Sequence, residues 1–263
     1  MLKKLLNYDL KSIFKVIIIF YILAIFFGIL TRVFFGFRNS LVLEILGKIS
    51  QGAAISMMCS TLINNIMRMW VRFKAHFYSD EAYLTHTLPI KKETHYLAKF
   101  LTAIITLFVS FALVFLVLFT AYYSKENLLV FKNLLLPVAE AYDSTIVGLI
   151  ALLVFVLFLE FFNILQCGFT GIILGNRMNN AKTGFSVLFG AVAFFVSQAI
   201  VLAVLFLIAL FNTEFMNLFV TNTTLNVQTI KSMICVAISC YTLVSVLGCV
   251  TNIYLFKKGV NVD

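Results

Sequence analysis

At 263 residues, with 62% hydrophobic and only 12% charged side chains, the chain is far more apolar than a soluble domain, in which about a quarter of residues are charged. Its formal net charge of +9 does not make it a nucleic-acid binder: no basic run is interleaved with base-stacking aromatics, and anionic lipid headgroups are sufficient partners. A helix needs roughly 20 apolar residues to cross the bilayer, so this length allows about six spans and little else.

The first segment, Met1 to Lys15, has two sides. At about 100° per residue Lys4, Lys11 and Lys15 gather on one, and Leu2, Leu5, Leu6, Leu10, Ile13 and Phe14 on the other. Asp9 falls inside the apolar arc and is the exception. The pattern predicts an amphipathic helix lying in the membrane interface and bending into the first span. That span, Val16 to Phe37, is too long for a signal-peptide core and runs into bulky Phe34, Phe35 and Phe37 where a small-residue cleavage site belongs, so it is read as retained. A second run, Leu43 to Trp70, is rich in small and hydroxyl residues.

Between the second and third runs lies a polar island, Ser79 to Glu93, "SDEAYLTHTLPIKKE". Ser79, Asp80 and Glu81 read as a helix start, an N-cap followed by acids at the positive end of the dipole. Tyr83, Leu84 and Leu88 give the helix an apolar edge, and Pro89 ends it and opens the next helix from its first turn. A short helix over 79–88, held between two spans and showing a mixed apolar and charged face, is a surface suited to touching another protein. His76, His86 and His95 fall in or beside it, without the tight ligand spacing of a zinc site.

The later runs are Phe100 to Tyr123, Thr145 to Gly175, Phe185 to Phe211 and Met233 to Phe256. Their lengths suit tilted helices rather than the short alternating strands of a barrel. The expected fold is therefore all-α, a polytopic membrane protein with one transmembrane domain over 1–263, built of six transmembrane helices behind the N-terminal amphipathic helix. Glu160 lies near the centre of the fourth run, with Asn163 and Gln166 following on broadly the same face. A mid-bilayer carboxylate costs about 2.5 to 3.5 kcal/mol, so it is expected to face protein or water, either along a translocation path or in interhelical hydrogen bonds. Gly171 and Gly175 form a GxxxG step for close helix approach, within the chain or across a dimer. Cys59, Cys167, Cys235, Cys240 and Cys249 all lie in apolar runs and read as small packing residues. Asn222-Thr223-Thr224 is a formal glycosylation sequon, and "FMNLFV" at Phe215 to Val220 is apolar enough to dip back into the membrane.

Of the 20 lysines and arginines, 14 fall on the side that holds the N-terminus. By the positive-inside rule both termini and the 79–93 island face the cytoplasm. No phosphate-binding loop is present: the nearest match, Gly47 to Ser50, has Val42 in place of the first glycine and Ile49 in place of the hydroxyl residue. No paired acids or His-x-x-x-His pattern suggests an intramembrane enzyme.

The start "MLKKLLNYDLKS", and then "FYSDEAYLTHTLPIKKETHYLAKF" between the second and third spans, resembles the permease subunits of type 2 ATP-binding-cassette (ABC) exporters of Gram-positive bacteria. The resemblance implies that 79–88, with Ser79, Asp80, Glu81, Tyr83, Leu84, Leu88 and Pro89, is a coupling helix docking into an ATPase subunit. It implies a second, smaller contact at Asn176 to Thr183 through Arg177, Asn179 and Lys182. It further implies no cofactor on this chain, ATP and Mg on the partner, two permeases (a homodimer or a pairing with a similar permease) with two ATPases in the cell membrane, and export of an antimicrobial or other amphipathic peptide, a drug or a lipid. The alternative is a passive channel or a membrane scaffold.

Overall fold

A computed structural model describes residues 2–37, 41–79, 81–211, 216 and 227–258. Asp80, the Asn222 sequon and all but one residue of Phe215 to Val220 lie outside the described residues. Eight helices are described: α1 (Leu2–Gly36), α2 (Leu41–Tyr78), α3 (Ala82–Thr87), α4 (Lys92–Tyr122), α5 (Lys125–Ala141), α6 (Ile146–Gly175), α7 (Lys182–Phe211) and α8 (Val227–Lys257). Six of these, α1, α2, α4, α6, α7 and α8, are long and apolar enough to cross a membrane, which makes the chain a multi-pass helical membrane protein. The contacts divide it into two compact units, Met1–Phe131 and Lys132–Asp263.

In the first unit α1 packs against both α2 and α4. Its buried positions, Asp9, Ile13, Ile17, Tyr21, Ala24, Gly28 and Thr31, recur every three or four residues and form one stripe along the whole helix. The continuous stripe explains why residues 2–15 do not bend away as a separate helix: they are the first turns of α1 and share its inward face. Ala24, Met58 and Val117 meet at the centre of the unit, and a Cβ at Gly28 would come within 2.9 Å of Val117 Cγ1, so glycine sets the closeness of α1 to α4. The polarity of a water-soluble core is reversed. Thr61, Asn65, Thr102, Thr106 and Ser110 are fully buried, while Ile18, Ile19, Ile22 and Phe26 face outward, as lipid as solvent requires.

Helix α5 lies between the apolar runs Phe100 to Tyr123 and Thr145 to Gly175. Ser124 caps it, its Oγ accepting from the Asn127 amide at 3.0 Å, and Pro137 sits inside it.

In the second unit α6 packs against α7 and α8. A Cβ at Gly171 would overlap the backbone of Ser186 and Gly190, and one at Gly175 would overlap Ser186. The GxxxG step thus packs α6 onto α7 within this chain. Cys167 and Cys240 are buried packing residues, but Cys59 and Cys235 are exposed.

Candidate functional site

Helix α1 is about 52 Å long and α2 about 57 Å, well beyond the roughly 30 Å of hydrocarbon. Helix α3 joins the end of α2 to α4, at the end of the first unit where Asp9 of α1 meets Arg72 and Lys99. It is shorter than the 79–88 expected. Leu88 is extended, with ψ 134°, as the residue before a proline must be, and α4 starts only at Lys92. Pro89 therefore lies in the link rather than in the first turn of α4.

Two faces of α3 differ sharply. Ala82 is fully buried against the end of α2, whereas Tyr83 is 75% and Leu84 69% exposed, with Leu88 and Pro89 also on the surface. Beside them a shallow hollow is lined by Lys4, Leu5 and Tyr8 of α1 and by Leu88, Pro89 and Ile90. His86 Nε2 lies 3.3 Å from the Phe77 carbonyl and ties the far end of α3 to α2.

The residue at the N-cap of α3 is Glu81, and its side chain makes no cap bond. Its carboxylate turns back instead to α2, 3.3 Å from Arg72 Nη1 and 2.6 Å from His76 Nε2; the second is a close contact rather than an aligned hydrogen bond. Behind it lies a buried ionic cluster. Asp9 Oδ1 accepts from Lys99 Nζ at 2.6 Å, 3.8 Å from His76 Nδ1 and 3.9 Å from Arg72 Nε. Lys99 Nζ also lies 2.7 Å from His76 Nδ1. An ammonium only donates, so Nδ1 must accept and the ring carries its proton on Nε2, facing Glu81. Tyr8 covers the cluster, its ring stacked 6.1 Å from His76 and lying 5.3 Å from the Arg72 guanidinium carbon. Phe73, Phe77 and Tyr96 floor it with edge-to-face contacts.

Four chain segments thus meet in one charge-balanced knot. Asp9 comes from α1, Arg72 and His76 from α2, Glu81 from the root of α3 and Lys99 from α4. Only Glu81 had been singled out from sequence as a site residue. Asp9 had a signal, an acid inside an apolar arc, which is the mark of a buried charge with a partner elsewhere. Lys99 and Arg72 look like ordinary basic flanks, and His76 and His95, which lack zinc-ligand spacing in the sequence, are buried. Ser79 is exposed at the turn, its carbonyl accepting from the Ala82 amide at 2.8 Å.

The second expected contact, Asn176 to Thr183, joins α6 to α7. Asn179 is exposed there, but Arg177 turns inward and donates to the Leu255 carbonyl of α8, and Lys182 is half-buried at the start of α7.

The residues of the Glu160 face all point at neighbouring helices of the second unit. Gln198 Nε2 donates to Glu160 Oε1 at 2.7 Å, and Tyr241 donates to Gln198 Oε1 at 2.8 Å. Asn163 donates to Ser197 at 2.9 Å, and the Gln166 carbonyl accepts from Asn252 at 3.4 Å. Among the described residues, Glu160 Oε2 and Gln166 Nε2 are buried without a hydrogen-bond partner. These bonds link α6 to α7 and α8.

No family model, no curated protein and no solved structure matches this chain.

Proposed function

We propose that this chain is the membrane-embedded permease subunit of a type 2 ABC exporter, with α3 as its coupling helix on the cytoplasmic side. One observation carries the reading: the short helix between α2 and α4 turns Tyr83 and Leu84 outward while Glu81 at its root reaches back to a buried ionic cluster. Large side chains so exposed on a firmly rooted element are suited to receiving force from another protein. ATP and Mg belong to a separate ATPase, two copies of each subunit make the transporter, and the cargo is an amphipathic peptide, drug or lipid. Few charges lie within the spans, which suits such a cargo better than an ion or a sugar.

Gentle purification from the native membrane tests the reading. The chain should bring an ABC ATPase with it, and Tyr83→Ala combined with Leu84→Ala should lose that ATPase while the permease stays folded. Absence of any ATPase, under conditions that keep a known transporter whole, would leave the channel or scaffold reading in its place.

A further inference from the structure

We infer that the buried ionic cluster is a latch whose moving part is Glu81, so that α3 and the first turns of α1 loosen and tighten together. The inference stands on the geometry of the first unit and needs no ATPase.

The members of the cluster are unequally exposed. The side chains of Asp9 and Lys99 are 3% exposed, His76 11% and Arg72 13%, but Glu81 is 45% exposed. Glu81 is therefore the member that can reach water at little desolvation cost to itself. With it in place, two carboxylates face two cations, Arg72 and Lys99, around a neutral imidazole. When it swings out, Asp9 alone among the described residues faces both cations, which leaves one of their two positive charges without a described counter-charge in a buried site.

The geometry also says how the remaining groups respond. Asp9 holds Lys99 at 2.6 Å and stands 3.9 Å from Arg72, so sharing its charge more evenly means moving toward α2. Aspartate has a short side chain, and such a shift draws the backbone of α1 with it. Tyr8 is moved by the same event, because its ring rests on both His76 and Arg72. Glu81 and the start of α1 thus act on each other through Arg72 and His76. Coupling of this kind is reciprocal: whatever holds α3 must firm the start of α1, and the reverse.

Hydrogen exchange on the purified full-length chain in lipid nanodiscs, without any partner, tests the latch. Glu81→Gln and Glu81→Ala should raise exchange in residues 82–90 by about tenfold to a hundredfold, the loss of a charge-assisted hydrogen bond. They should also raise it in residues 2–12 by a smaller factor, about threefold or more. Asp9→Asn should loosen 82–90 in turn. Tyr83→Ser, on the exposed face of α3, should leave 2–12 as they are. Loosening of α3 alone in both Glu81 variants would overturn the inference, and so would an equal response of 2–12 to Tyr83→Ser. If Asp9→Asn unfolds the first unit, the two Glu81 variants decide the matter.

Discussion

Asp9 has three nitrogen-bearing neighbours and almost no water, an arrangement worth much less than its short distances suggest. Taking an ion pair out of water costs several kcal/mol per ion, so the pair with Lys99 roughly breaks even, whereas stranding one partner is strongly destabilising. Lys99→Met should therefore lower stability by about 3–5 kcal/mol, and adding Asp9→Leu should restore most of the loss; thermal unfolding in detergent compares the single and double variants. A double variant no better than the single would mean that Lys99 acts through its packing on Phe77, 5.9 Å from its Nζ, rather than through Asp9. The anomaly at Asp9 was legible in the sequence. Its partner was not, because 90 residues separate it from Lys99 and nothing local marks that lysine as buried.

At the scale of the element, helix identity and extent follow from apolar periodicity, and all six long helices begin or end within a few residues of their apolar runs. The joins were harder. Residues 2–15 and the first span keep the same helical phase, so no break separates them, and α5 was hidden by the charges that interrupt its apolar residues, Lys125, Glu126 and Lys132, and by Pro137. The close seat of α6 on α7 gives a clean test. Gly171→Val should destabilise by about 1–3 kcal/mol or more, because the added carbons meet the backbone of Ser186 and Gly190, which cannot swing aside. Gly184→Ala, at the start of α7 where no atom of the described residues lies within 4 Å of the new carbon, should be neutral or stabilising by about 0.5–1 kcal/mol. Resistance to trypsin at the Asn176 to Thr183 turn, and the unfolding temperature, should separate the two. For Glu160, bonded to Gln198, Glu160→Gln should preserve assembly because an amide oxygen can still accept from Gln198. Glu160→Leu leaves Gln198 with a lost partner and should lower the unfolding temperature.

On the scale of the whole molecule the two units share a plan, in which the first long helix of each packs against both of the others. If all six long helices cross the membrane, Thr87, at the end of α3, and Lys132, in α5, must lie on opposite sides of it. In a version freed of its native cysteines, Thr87→Cys and Lys132→Cys should react with a membrane-impermeant reagent from opposite faces; labelling from the same face would overturn the six-span arrangement. Function at this scale is the least legible part. On the proposed reading the ATP chemistry belongs to another chain, and what this sequence would carry is the face that meets it. The claim that α3 receives force from an ATPase is met most directly by placing a photoreactive phenylalanine derivative at Tyr83 and irradiating native membranes. The account predicts an adduct with an ATP-binding subunit, lost when the same group sits at Lys132. Adducts with lipid alone at Tyr83 would contradict it.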